Sequence, residues 1–260
     1  MTPTVLYCNM RCRFCWRIQS GDIALKWDEM GLNKWDDPEE IVEGCTKAQM
    51  DILSGYKSNP KTDKKKHREA LTPKHAAISL TGEPTLYPHL GELIESFHRH
   101  GFTTFLVSNG TLPEALTQLG TEPTQLYISV YAYDKKTFAE TCRPHIPKAW
   151  ERLNETLSLL QSFKCPTVIR LTLVRHLNLS HPEQYAKLIE KTHSTYVEPK
   201  AYMHVGYSQL RLSYENMPSH PEIRDFSVKL AKETGYNLLD EAPESRVVLL
   251  SRLEKPIKLA

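Results

Sequence analysis

No stretch of the 260 residues approaches the roughly 18 consecutive apolar positions that a membrane-spanning helix needs. Residues 1–7 are too few for the apolar core of a secretory signal. A membrane partner is therefore not expected, and a cytoplasmic location is. Charge of one sign is also missing: 33 Lys and Arg stand against 31 Asp and Glu, a formal +2. That balance does not by itself point to nucleic acid. A disulfide framework is absent too, because six cysteines in a chain of this length suit a reducing compartment better than a stapled secreted domain. Three of them, Cys45, Cys142 and Cys165, are scattered. The other three are not.

Along the chain, short β-branched runs alternate with amphipathic stretches. The runs are Thr4–Tyr7, Ala76–Leu80, Thr103–Val107, Leu126–Val130, Thr167–Val174 and a segment within Tyr196–Val205. Between them, apolar residues recur at helical spacing, as in Leu90, Leu93, Ile94 and Phe97. A helix is expected near Pro38–Ile52, with Asp37 and Glu40 as a capping pair and Ile41, Cys45, Ala48 and Ile52 as its buried stripe. A last helix near Pro221–Thr234 and a closing strand at Arg246–Leu250 complete the pattern. Such alternation implies α/β architecture with parallel pairing. Six units are fewer than the eight of a closed barrel, and a doubly wound sheet or an incomplete barrel both fit. Ser54–Lys74 reads as a long loop. Its basic run, Lys61, Lys64, Lys65, Lys66 and Arg68, has an ordinary reading as a solvated segment.

Cys8, Cys12 and Cys15 form a C-x3-C-x2-C spacing with Phe14 just before the last cysteine. Three buried cysteines on one helix face would share this spacing, but Asn9, Arg11 and Arg13 do not make an apolar face. Zinc asks for four ligands, or three and water, and no cysteine or histidine follows closely; His67 is the first histidine. Electron-transfer clusters take four cysteines. Three thiolates on three irons of a 4Fe-4S cubane, with the fourth iron open, is the simplest reading left.

In this position the motif resembles the radical S-adenosylmethionine (SAM) superfamily. The resemblance implies an incomplete (β/α)6 barrel, with residues 1–260 as one domain, its core about 1–210 and a carboxyl-terminal extension about 211–260. It implies that SAM chelates the open iron, and that one electron cleaves its sulfonium to give a 5′-deoxyadenosyl radical. Thr81-Gly82-Glu83-Pro84 is similar to the family's Gly-Gly-Glu-Pro motif, with Thr81 in the first glycine's place. Phe14, Gly82, Glu83, Pro84, Asn109, Ser129 and Arg170 are the expected SAM-binding residues. Glu83 is read as an acceptor for the SAM ammonium, and Arg170 as a partner for its carboxylate or for a protein acid.

Cys15-Trp16-Arg17, Ser79–Pro88, Leu126–Val130, Ile169–Val174 and Tyr202–Ser208 narrow the resemblance to the archaeal-type tRNA 4-demethylwyosine synthases of wybutosine biosynthesis. That family joins two carbons of pyruvate to 1-methylguanosine beside the anticodon of tRNA-Phe, using an external electron donor. The resemblance gives Lys61, Lys64, Lys65, Lys66 and Arg68 a role in phosphate contacts, with Trp16, Arg17 and Tyr207 also toward tRNA. Tyr131, Tyr133 and Tyr202 are further stacking candidates. The family also carries an upstream segment with three cysteines for a second 4Fe-4S cluster and a lysine for pyruvate. Cys45, Cys142 and Cys165 do not reproduce that triplet, so the second cluster's ligands are expected outside these residues. The 260 residues alone are expected to hold one cluster and to be poor at the pyruvate step. Two other readings stay open: a radical SAM enzyme with a different substrate, and a non-catalytic metal-cluster protein that binds tRNA.

Overall fold

The β-branched runs become five parallel strands in a computed structural model that describes residues 1–22, 24 and 26–259. They are β1 (His75–Ile78), β2 (Thr103–Ser108), β3 (Gln125–Ser129), β4 (Thr167–Leu173) and β5 (Tyr196–Ala201), neighbours in that order. A sixth and a seventh strand, β6 (Asn237–Ala242) and β7 (Val247–Ser251), form an antiparallel pair, and β7 lies antiparallel against β5. The expected α/β class therefore holds, with an open row of strands and the carboxyl-terminal hairpin continuing the same sheet.

Helices α1 (Pro38–Ser54), α2 (Lys64–Ala70), α3 (Leu90–Arg99), α4 (Pro113–Thr117), α5 (Lys135–Cys142), α6 (Ala149–Leu159), α7 (Pro182–Glu190) and α8 (His220–Thr234) fill the connections. Leu90, Leu93, Ile94 and Phe97 bury the face of α3 that their spacing predicts. Val168, Ile169, Leu171 and Leu173 bury both faces of β4, as a parallel strand covered on both sides requires. Asp37 caps α1, accepting from the Glu39 amide at 2.8 Å, but Glu40 makes no reciprocal contact, so only half of the expected capping pair forms.

Four local readings change. Thr4–Tyr7 is a turn, closed by the Tyr7 amide on the Thr4 carbonyl at 2.8 Å. Met1 alone lies beside β1, its amine on Ala77 and its carbonyl on Ser79. The Ser54–Lys74 stretch contains α2, nucleated where Asp63 accepts from the amides of Lys65 and Lys66. In α1, Val42 is buried while Ile52 is 63% exposed and Cys45 only half-buried, so the apolar stripe is rotated from its expected face. Helix α5 and strand β6 had no clear periodic signal.

Helix α8 starts in a reciprocal capping box of Ser219 and Glu222. Glu222 also accepts two bonds from Arg175, the first-ranking reason its carboxyl is held down to about 2. A folded value below the unfolded one gives stability that is full above the unfolded value and lost as pH falls through the folded one. Glu222→Gln is therefore expected to melt earlier than the unsubstituted chain at neutral pH. That gap should narrow as pH drops from about 4.5 toward 2. Melting curves across this range check it, and a constant gap would sink the linkage.

Candidate active site

Loops at the carboxyl ends of β1 to β5 meet the amino-terminal cysteine loop around a cavity of about 350 Å3. Cys8, Cys12 and Cys15 all line it, and so do Phe14, Gly82, Glu83, Asn109, Ser129 and Arg170. Pro84 is buried just behind, opening a single 3-10 turn at Pro84–Leu86. The structure thus brings together the residues that sequence spacing put at separate strand ends.

The cysteine loop is held by its own backbone. Arg11 and Arg13 donate their amides to the end of α5, and the Cys15 amide reaches the Cys12 carbonyl at 3.0 Å. Gln19 donates its side-chain amide to the Cys12 carbonyl at 2.9 Å, and Trp27 its indole N–H to the Cys8 carbonyl at 2.5 Å. Trp27 is stacked between Tyr7 and His145, with centroids 5.2 and 5.1 Å away. Arg211 spans the loop, donating to the carbonyls of Arg13, Cys15 and Arg17 and pairing with Asp22. Trp27, His145 and Arg211 carry no motif spacing, because each acts through residues far from it in sequence.

Burial raises the Cys8 and Cys15 thiols. Cys12 is raised first by its hydrogen bond with Cys142 and then by burial. Raised thiols hold their protons more tightly, so a metal bound here would have to displace them. Among the described residues, no three His, Cys, Asp or Glu side chains stand close enough for one metal ion. A cubane places its ligands on separate iron corners, so thiols spread along one cavity wall fit it. The chemistry of the donor set agrees: soft sulfur ligands suit iron–sulfur clusters. Arginines around the loop suit the negative charge of a thiolate-bound cluster. When bound, cluster and SAM together supply one-electron cleavage of a sulfonium and hydrogen-atom abstraction.

The Gly82–Glu83 loop is fixed by close backbone contact. Gly82 has φ +67°, and a Cβ there would meet the Tyr7 carbonyl oxygen at 2.8 Å. The Glu83 amide donates to that same carbonyl at 2.9 Å. The Glu83 carboxylate, 2% exposed, accepts from the Thr85 amide and hydroxyl, the Ser108 hydroxyl and the Asn109 amide. Burial raises its carboxyl and those donors oppose the rise. Its acceptor positions face inward, tying the β1 loop to the β2 loop.

Asn109 donates to Asn9 at 2.8 Å and accepts from Thr111, linking the β2 loop to the cysteine loop. Ser129 is buried at the cavity wall beside Tyr131. Phe14 meets Tyr131 edge to face, centroids 4.7 Å apart. Arg170 pairs with Glu198 across the β4–β5 register at 2.8 Å and lies over the Tyr127 ring. Its expected protein acid is thus present, while the guanidinium still lines the cavity. Lys200, two residues beyond Glu198, also lines the cavity. It was missed because a single lysine in a strand carries no signal.

Toward tRNA, Trp16 and Tyr207 are each 40% exposed and joined, the Tyr207 amide on the Trp16 carbonyl at 2.9 Å. Arg17 lies 3.7 Å over the Trp16 ring. Tyr133 is half-buried and packs against His181 and Tyr185, while Tyr202, 1% exposed, is a core residue. Lys61, Lys64, Lys65, Lys66 and Arg68 do not line the cavity. Helix α2 ends only residues 71–74 before the amino end of β1, which puts this segment toward the opposite end of the strands.

Residues 2–189 match the family model described as "Radical SAM superfamily", and residues 191–252 match "Wyosine base formation". The chain is 51% identical over 256 residues to the S-adenosyl-L-methionine-dependent tRNA 4-demethylwyosine synthase of Pyrococcus abyssi, covering 97% of this chain and 74% of that protein. It is 50% identical to the protein of the same name from Pyrococcus horikoshii, with the same coverage. A solved structure, "Structure of TYW1 with a lysine-pyruvate adduct bound", superposes with a TM-score of 0.86 at 39% identity, over 99% of this chain and 80% of that one.

Proposed function

We propose, from the premise that this chain belongs to the tRNA 4-demethylwyosine synthase family of radical SAM enzymes, that it joins pyruvate carbons to 1-methylguanosine beside the anticodon of tRNA-Phe. The pyruvate carboxylate is lost and a third ring closes on the base. The observation that carries this reading is one cavity at the strand ends, walled on one side by Cys8, Cys12 and Cys15 and on the others by the Gly82, Asn109 and Ser129 loops.

Each chain residue then has a physical task. Cys8, Cys12 and Cys15 hold one 4Fe-4S cluster. The loop around Gly82, which Glu83 braces, and Asn109 and Ser129 shape the SAM site. Arg170 and Lys200 supply positive charge on the wall where a carboxylate would be received. Phe14 and Tyr131 exclude water from the reacting centre. Trp16 and Tyr207 offer faces on which an RNA base can stack. An external donor delivers the electron. A second cluster, as implied for the family, would take its ligands from outside these residues. Among the described residues, no helix is long and apolar enough to cross a membrane.

Anaerobic reconstitution tests the reading. These residues are expected to take up about four irons and four sulfides, to cleave SAM to 5′-deoxyadenosine under dithionite, and to do so faster with tRNA-Phe carrying 1-methylguanosine. About eight irons would place a second cluster within these residues. Nucleoside mass analysis after adding pyruvate reads the condensation itself, which these residues alone are expected to carry out poorly. SAM cleavage that responds to a peptide but not to tRNA would overturn the substrate assignment.

A further inference from the structure

Five arginines gather around the cysteine loop: Arg11, Arg13, Arg17, Arg143 and Arg211. Arg211 has a carboxylate partner in Asp22. Arg17 lies on Trp16. Among the described residues, none of Arg11, Arg13 and Arg143 forms an ion pair or a side-chain hydrogen bond, and the Nε atoms of Arg11, Arg13 and Arg17 are buried without a partner; of these, Arg11 and Arg143 line one cavity. Arg11 is half-buried and Arg143 exposed, and backbone holds the two together. The Arg11 amide donates to the carbonyls of Cys142 and Arg143. Arg143 itself sits at φ +45°, a left-handed conformation that ends α5.

Both side chains line a second cavity, of about 340 Å3, completed by Gln19, Ser20, Gly21, Leu210 and the Asp22–Arg211 pair. Arg11, Gln19 and Ser20 line the main cavity as well, so the two share a wall. Among the described residues, the one carboxylate lining the second cavity is Asp22, which is paired with Arg211 and accepts from the Gln19 backbone amide. Leu210, 71% exposed, also lines this cavity, while Trp16, 40% exposed, lines the main cavity. A nucleotide whose base enters the main cavity has its phosphates one sugar away, at the neighbouring cavity.

We infer that Arg11 and Arg143 form a phosphate site for the RNA backbone next to the target base. This rests on tRNA being the substrate. It moves the phosphate contacts from the α2 lysines to the mouth of the site. Burial first, and then repulsion by Arg13, Arg11 and Arg211, lowers the Arg143 guanidinium's hold on its proton, and an anion between them relieves that repulsion.

The test is tRNA-Phe binding by the reconstituted chain across a salt series. Arg143→Asn removes the charge with a residue that tolerates left-handed backbone. It is expected to reduce the log–log salt slope by about 0.7–0.9, one phosphate contact, and to weaken affinity roughly tenfold. Arg143→Lys should keep the slope. Lys65→Gln on α2, the same charge change elsewhere, should leave both slope and affinity near those of the unsubstituted chain. An unchanged slope in Arg143→Asn, or an equal drop in Lys65→Gln, overturns the pocket. If the unsubstituted chain does not bind tRNA even at low salt, the substrate reading itself falls with it.

Discussion

Cys12→Ala is expected to abolish cluster uptake and SAM cleavage, whereas Cys142→Ala, removing the neighbouring sulfur, is expected to leave both intact. The two thiols are near enough for Cys142 to raise the Cys12 thiol, whose sulfur lies 3.9 Å from the Met10 sulfur. Both cysteines are buried, at 8% and 0% exposure. Packing alone would predict similar results from the two substitutions. Their positions separate them. Cys12 lines the cavity, between Cys8 and Cys15 in the loop, while Cys142 closes the last turn of α5 behind it. A cluster with two remaining thiolates loses a third of its protein ligands. A core that loses one sulfur at position 142 pays on the order of 1–2 kcal/mol in packing. Iron and sulfide content, with 5′-deoxyadenosine formation, distinguishes the two. Full iron in Cys12→Ala, or iron lost in Cys142→Ala, would reassign the ligand set. Cys8→Ala and Cys15→Ala should fail in iron uptake like Cys12→Ala.

Much of this site is legible in sequence because its parts are local. Three thiols within eight residues, a Gly-Glu-Pro turn and polar residues at strand ends each show as short patterns. What sequence misses depends on partners brought from afar. Thr4–Tyr7 has the composition of a strand, but Gly82 packs against it with no room for a Cβ, and Val5 is forced to φ +51°. The run turns instead of extending. Trp27 clamps the Cys8 carbonyl only because His145, from beyond α5, supports its other face. The strand position of Arg170 could be read, but its partner could not, since Glu198 is set opposite by the β4–β5 register. Three consecutive lysines look like a loop until Asp63 is seen to cap them. The same long-range packing that hides these residues is what assembles the site.

Glu83→Gln is expected to cost about 2–4 kcal/mol, far more than its near-identical shape suggests. The reason lies in which partners can reverse their bonds. A hydroxyl can either donate or accept, so Thr85 Oγ1 and Ser108 Oγ could adapt to a side-chain amide. A backbone N–H can only donate. One Glu83 oxygen accepts the Thr85 amide at 3.1 Å, and the other accepts the Asn109 amide at 2.8 Å. Whichever way a glutamine is flipped, its NH2 faces one of these N–H groups, donor against donor, at a site only 2% exposed. At roughly 2–4 °C per kcal/mol for a chain near this size, melting should fall by about 5–15 °C. Thr85→Val, which removes one hydroxyl donor and leaves both amides satisfied, should cost about 1 kcal/mol. Equal losses from the two would show that Glu83 acts only through its hydroxyl neighbours. The larger loss in Glu83→Gln should come with weaker SAM binding, measured by equilibrium dialysis, because the same carboxylate joins the Gly82 loop to Ser108 and Asn109. In the family's motif this residue reads as an acceptor for the SAM ammonium. In this fold one oxygen already accepts three bonds and the other only the Asn109 amide, so its contribution to the cofactor site comes at least through the two loops it holds in register.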